Sequence, residues 1–284
     1  MASLAHRPLS PQSSSEPRRK RHLHWTRKRP RSASDVARQV ATLGVRPGDV
    51  VLVHVSYRAV RPIKGGPAGL LAGLQEAVGP QGTLVMPSYT GEDDRLFDPS
   101  ATPADPELGV VADTFWRLPG VLRNDHPFAF AARGPVAPEI TSDPIAFPPH
   151  GIASPVGRVL NRDGRVLLVG VGHESNTTIH LAELLAGVRY RRPKHCTVLV
   201  QGLAGRVDYE ENDHCCRRFG LMDGWLRAER LQVEGPVGHA HARLVDAKDV
   251  VDCALARLAR DPALFLHEQG SGCEECDEAW RSLP

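Results

Sequence analysis

No stretch of the 284-residue chain stays apolar for the roughly 20 residues that a membrane-spanning helix needs, which excludes a helical membrane protein. The first residues also lack the apolar core of a secretory leader, so a reducing cytoplasm is the expected compartment. There the six cysteines, Cys196, Cys215, Cys216, Cys253, Cys273 and Cys276, are expected as thiols or metal ligands rather than disulfides. Missing too are any Walker or dinucleotide glycine fingerprint and any internal repeat. The net charge of +2 conceals a division. Residues 1–31 hold nine Lys/Arg against one acid, Glu16, leaving 26 basic residues (35 less 9) against 32 acidic (33 less 1) in the remainder. An acidic body argues against nucleic acid as the main ligand and suits a cationic small molecule.

Residues 1–31 are rich in Pro, Ser, Arg and His and too poor in apolar side chains to form a core, so they are expected as a disordered basic arm. The fold is expected over 32–284 as a single α/β unit with a cysteine-containing C-terminal extension. Ser34 is a candidate N-cap for a first helix that Gly44 would stop. Val50-Val51-Leu52-Val53 reads as a buried strand, Gly65-Gly66-Pro67 opens a helix to about Val78, and Gly82 to Pro87 reads as a second strand. Residues 88–108 form a long loop dense in acids, of the kind usually kept for function. Gly109 to Leu118 reads as a helix, His126 to Ala131 as a strand, and Ser154-Pro155 as another helix start. Cys196–Val200 and Gly205–Tyr209 read as strands joined by a turn at Gln201-Gly202-Leu203-Ala204. A helix holding Cys215, Cys216 and Trp225 follows, then a strand from His239 to Val245 and a helix capped by Asp246.

The stretch that carries the most chemistry is Thr177-Thr178-Ile179-His180-Leu181-Ala182-Glu183. An apolar run, Val166-Leu167-Leu168-Val169, leads through Gly170-Val171-Gly172 into it, which reads as a strand, a glycine turn and a helix. Open α/β sheets place their chemistry at such junctions. His180 and Glu183 lie one turn apart on one face, and a histidine held by a carboxylate can accept a proton near neutral pH. A partly buried histidine beside a surface glutamate would look the same in local sequence.

Taken together, several segments identify a resemblance: Val50 to Ser56, Gly82 to Ser88, Phe97-Asp98-Pro99, Leu108 to Val111, His126-Pro127, Ser154-Pro155-Val156 and Asn176 to Glu183. The chain resembles the aminoglycoside 3-N-acetyltransferases from about Asp35 onward. Glu211-Asn212-Asp213-His214-Cys215-Cys216 and Cys273-Glu274-Glu275-Cys276 resemble the type IV, apramycin-accepting class in particular. The resemblance implies an α/β fold with a mixed central sheet flanked by helices. It also implies acetyl transfer from acetyl-CoA to one amine of a deoxystreptamine antibiotic. His180 matches the family's general base and Glu183 the carboxylate beside it. Ser56, Tyr57, Arg58, Ala59, Val60 and Arg61 match the cofactor loop, where two arginines could meet phosphates bidentately, with Ser154 also on the cofactor side. The chain departs from the family at Val55, where a second serine is usual, and so lacks one candidate hydroxyl for the cofactor. Asp93, Glu211 and Asp213 are candidate carboxylates for the ammonium groups of the antibiotic, with His150 nearby.

The cysteines keep other readings open. Cys273-x-x-Cys276 could chelate a structural zinc whose other half comes from His214 and Cys215 or Cys216; reduced packing thiols would give the same spacing. Cys216 could carry an acyl group. Two rival functions are a zinc-containing nucleic-acid binder using the basic arm, and a metal-dependent hydrolase with His180 and Glu183 as ligands.

Overall fold

The computed structural model describes residues 28–142, 147–200 and 203–283. Most of the basic arm, the turn at 201–202 and part of the proline-broken 143–150 stretch therefore lie outside the described residues. Helix α1 (Ala33–Leu43) starts two residues earlier than expected. Its cap is Ser32, whose side chain accepts from the Asp35 amide while the Asp35 carboxylate accepts from the Ser32 amide, a reciprocal capping box. The arm boundary shifts as well. Arg31 bridges to Ile63 and exchanges backbone hydrogen bonds with Pro62 and Lys64, and His239 bonds the Arg29 carbonyl at 2.9 Å, so residues 29–31 belong to the fold.

The elements that follow are β1 (Val50–Val55), α2 (Tyr57–Val60), α3 (Gly66–Val78), β2 (Thr83–Pro87), α4 (Gly109–Trp116), β3 (Leu122–Arg123) and β4 (Phe130–Arg133). Next come α5 (Ala137–Ile140), α6 (Pro155–Asn161), β5 (Arg165–Val169), α7 (Thr178–Ala186), β6 (Arg192–Val200) and β7 (Leu203–Glu211). The chain continues through α8 (Leu221–Ala228), β8 (Gln232–Val237), β9 (Ala240–Asp246), α9 (Ala247–Leu258) and α10 (Glu274–Arg281). A seven-stranded sheet runs in the order β3-β4-β2-β1-β5-β9-β8. Its centre, β2-β1-β5, is parallel, and the flanking pairs are antiparallel. The mixed sheet flanked by helices is thus present as the resemblance implied.

Period-two alternation divides the core. Val51, Val53, Leu167 and Val169 face one layer with α1, α3 and α4. Leu52, Val85, Val166 and Leu168 face the other, against α6, α7, α8 and α9. The central strands are buried on both faces and read as continuous apolar runs for that reason.

Several elements differ from expectation. β8 was not expected; as the edge strand it tolerates Pro236, whose missing N–H costs no ladder bond. The 126–131 strand begins only at Phe130, since residues 127 and 129 instead accept from Thr90 and Ser88 in a looser pairing. Leu203 and Ala204 belong to β7, in an antiparallel ribbon with β6 that stands apart from the main sheet. Cys215 and Cys216 precede α8 in an extended and a 3₁₀ turn. No helix among the described residues is long and apolar enough to cross a membrane.

Candidate active site

The site forms beyond the carboxyl ends of β1 and β5. Strand β5 ends at Gly170, whose φ of 70° lies in the left-handed region, and a side chain there would meet the Ala59 Cβ at 2.5 Å. That turn leads through a 3₁₀ segment, His173–Ser175, into α7. His180 and Glu183 then fall on the same face of α7, with Nδ1 of the imidazole 3.1 Å from Oε2 of the carboxylate.

Glu183 is fully buried and takes three further donors. Tyr190 Oη donates to Oε1 at 2.5 Å, His214 Nε2 lies 2.7 Å from the same oxygen, and Asn212 Nδ2 donates to Oε2 at 2.8 Å. Burial alone would raise its pKa, but His214 and His180 outweigh that and draw it to about 2, so the carboxylate stays ionised. Burial disfavours the His180 imidazolium, yet Cys216 and Glu183 on its two sides hold its pKa well above 6.5. The Cys216 sulfur lies 3.4 Å from Nε2. His150 stacks on the His180 ring with centroids 5.0 Å apart, and Phe219 packs edge-on at 4.9 Å. His150 is fixed in turn by Glu211, Nδ1 to Oε1 3.2 Å.

His180 opens into a cavity of about 430 Å³. Its wall holds four carboxylates, Glu107, Glu174, Glu211 and Asp213, against one lysine, Lys194. Of the acids expected from sequence, Glu211 faces the cavity. Asp213 also does, its carboxylate paired with Lys194 at 2.6 Å and Arg192 at 2.9 Å. Asp93 lines neither this cavity nor the next. It lies under β6, where its carbonyl accepts from Thr197, and burial raises its pKa. Glu107, within the acid-dense 88–108 loop, and Glu174 also line the cavity and were not among the candidate carboxylates.

A second cavity of about 520 Å³ adjoins the first, sharing Val55, Glu107, Leu108 and Val171 with it. Ser56, Tyr57, Arg58 and Arg61 line it, and neither arginine has a carboxylate partner among the described residues. Two members of the expected loop do not: Val60 is fully buried in the core and Ala59 packs against Gly170. Ser154 lines neither cavity; it is buried, and its hydroxyl accepts from the Gly157 amide as the cap of α6. Its role is corrected accordingly to that of a helix cap.

The expected metal set, His214, Cys216, Cys273 and Cys276, is not assembled. His214 is turned to Glu183 by Nε2 and to the Cys215 carbonyl by Nδ1, and Cys216 faces His180. Side chains of successive residues in an extended segment point to opposite sides, so Cys215 faces away from the cavity that His214 and Cys216 approach. His180, Glu183 and His214 do come within reach of a common cation. Yet both Glu183 oxygens already receive two hydrogen bonds each, from His180, Asn212, Tyr190 and His214, which fits a proton-handling network better than a metal-ligating one.

The family model for aminoglycoside 3-N-acetyltransferases matches residues 52–259. The aminoglycoside N(3)-acetyltransferase IV of Salmonella sp is 60% identical over 234 residues, covering 82% of this chain and 90% of that protein. Among solved structures, a mutant of the aminoglycoside acetyltransferase AAC(3)-IVa in complex with a gentamicin superposes with a TM-score of 0.89 at 56% identity, over 91% of this chain and 100% of that one. A mutant of the same enzyme in complex with apramycin gives a TM-score of 0.82 at 56% identity, over 87% and 98% of the two chains.

Proposed function

Because the chain belongs to the aminoglycoside 3-N-acetyltransferase family, we propose that it transfers acetyl from acetyl-CoA to the 3-amino group of deoxystreptamine antibiotics, gentamicin- and apramycin-like compounds among them. The observation that carries this reading is the position of His180, pinned by a buried carboxylate on one side and open to an acid-lined cavity on the other. Neither the nucleic-acid nor the hydrolase alternative is supported by these relationships.

The antibiotic arrives as a polycation, and the carboxylates of the first cavity offer it complementary charge. The second cavity suits the cofactor. Arg58 and Arg61 would meet its phosphates, and the apolar wall shared between the cavities lets the acetyl end reach His180. The reacting amine must first lose a proton. Neutral His180 accepts it at Nε2, while Glu183 fixes the tautomer through Nδ1 and stabilises the imidazolium. The amine nitrogen then attacks the thioester carbon, forming the C–N bond and a tetrahedral oxyanion. Backbone N–H groups at the start of α7 are the candidate donors to that oxyanion, since the Thr177 hydroxyl is engaged by His54 and Thr178 is buried. Collapse breaks the C–S bond; the departing thiolate takes the second proton from the nitrogen, leaving the neutral amide, and the proton held by His180 passes to solvent. Acetylation removes one positive charge from the drug and so weakens its hold on an anionic target, which is the basis of resistance. The folded body from residue 29 onward would act as one cytoplasmic unit, with the rest of the basic arm outside the chemistry.

Turnover of acetyl-CoA with gentamicin and apramycin, read by thiol release, tests this directly. His180→Ala should fold and lose about 10²–10⁴-fold in turnover, the usual worth of general base catalysis. Near-full activity in that variant would overturn the assignment. A second reading rests on the 3.4 Å approach of Cys216 to His180: the sulfur could accept the acetyl group before the amine does. Two adjoining cavities that can hold both substrates at once favour direct attack. Acetylated protein isolated after acetyl-CoA alone, and lost in Cys216→Ser, would decide for the covalent route.

A further inference from the structure

The segment after α9 brings together residues far apart in sequence. Cys215, His267 and Cys273 have ligand atoms that all lie within 4.8 Å of one another. Cys276 lies beside this group, its sulfur 3.4 Å from His267 Nδ1. Three side chains, two thiols and one imidazole, thus fall within reach of one cation, with a third thiol against the imidazole. None of the four is needed for the acetyl transfer described above.

We propose that Cys215, His267, Cys273 and Cys276 form a structural zinc site that clamps the C-terminal segment to the turn carrying His214 and Cys216.

The donor set is one that zinc takes in closed tetrahedral sites, three thiolates and one imidazole. The ligands are also oriented from behind. The His267 carbonyl accepts from Trp280 Nε1 at 2.8 Å, and the loop between His267 and Cys273 is closed by a Gly270 amide to Asp277 Oδ1 bond of 2.8 Å. Packing alone gives no reason for three thiols and an imidazole to gather at one place.

The site also solves a stability problem. Residues 259–283 add no strand to either sheet, and α10 is only eight residues long. Helices so short are marginal without tertiary support. Besides buried apolar residues such as Phe265 and Ala279, the segment is held by isolated polar links, such as the Arg191 amide to Ser282 Oγ at 2.9 Å and Arg218 Nε to the Leu264 carbonyl at 2.9 Å. A metal held by Cys215 would fix the backbone between His214 and Cys216, and so the two side chains that face Glu183 and His180.

Metal analysis of the full chain, purified without chelators from zinc-supplemented cells, should find about one zinc per chain. Cys215→Ser, Cys273→Ser and His267→Ala should each lose it and lower Tm, whereas Cys216→Ser and Cys253→Ser should keep it. Cobalt exchanged into the unaltered protein should show the strong visible bands of tetrahedral thiolate ligation, a readout that survives if some variants fail to fold. Less than a tenth of an equivalent of zinc, with cobalt giving only the weak colour of the hydrated ion, would overturn the site. So would zinc that survives Cys215→Ser but leaves with Cys216→Ser.

Discussion

At the residue scale, the pairing of His180 with Glu183 was legible and its surroundings were not. His180 and Glu183 are three positions apart, so helical periodicity puts them together without any tertiary knowledge. Tyr190, Asn212 and His214 reach Glu183 from seven to 31 residues away, and only the folded chain shows that they do. The same holds for Cys216, read beforehand as a zinc ligand or acyl carrier rather than as the partner of His180 Nε2. The tuning has a measurable consequence. Because the pKa of His180 is held well above 6.5, the neutral form that can accept a proton is depleted as pH falls through that raised value. The kcat/KM profile should therefore have its ascending limb above pH 6.5. Cys216→Ala removes the first of the two groups that raise the pKa, so the limb should move toward lower pH. A limb that stays in place would show that Glu183 alone sets it.

At the element scale, runs buried on both faces were read correctly because burial leaves an unbroken apolar signature, as in β1, β2 and β5. Edge strands carry no such signature. β8 has one face and one edge in contact with solvent, so its Gly and Pro were free to remain and disguised it. The short α2 was read as a loop, and four residues leave too little periodicity to say otherwise. Yet α2 sets the second cavity, because it positions Arg58 and Arg61 while Ala59 leans on Gly170. Gly170→Ala should strain the backbone by about 1–3 kcal/mol and lower Tm. By pushing against Ala59 in α2 it should also raise KM for acetyl-CoA more than for the antibiotic. Arg58→Ala and Arg61→Ala should each raise KM for acetyl-CoA about tenfold, the worth of a charged hydrogen bond, with kcat little changed. Saturation kinetics on both substrates checks all three. If cofactor affinity is untouched by either arginine, the phosphates lie elsewhere.

For the whole molecule, the charge division seen in sequence reappears as an acid-lined cavity, but buried histidines set how the fold answers to acid. His54, at the end of central strand β1, is 5% exposed and burial, reinforced by His173 and His150, lowers its pKa to about 3. Its Nε2 is 3.4 Å from the Thr177 hydroxyl, a bond that a neutral ring can accept. In the unfolded chain the same ring takes a proton near pH 6.5. Below that pH the unfolded state binds a proton that the native state refuses, so stability falls as pH falls, by about 1.4 kcal/mol per pH unit for this one group until pH nears 3. His173, also lowered by burial, acts in the same direction. Glu183 and Asp223 contribute differently. Both are drawn to about 2, against burial, by their histidine, glutamine and arginine partners, so their stabilisation is present above the unfolded carboxylate range near 4 and lost only as pH falls toward 2. Acid should thus weaken the protein in two stages, histidines first and carboxylates second. Denaturant unfolding at a series of pH values should show stability declining already between pH 6 and 4.5. His54→Gln, which cannot titrate, should flatten that first stage and leave the second in place. A wild-type curve that is level down to pH 4.5 would mean that His54 is protonated in the native state after all.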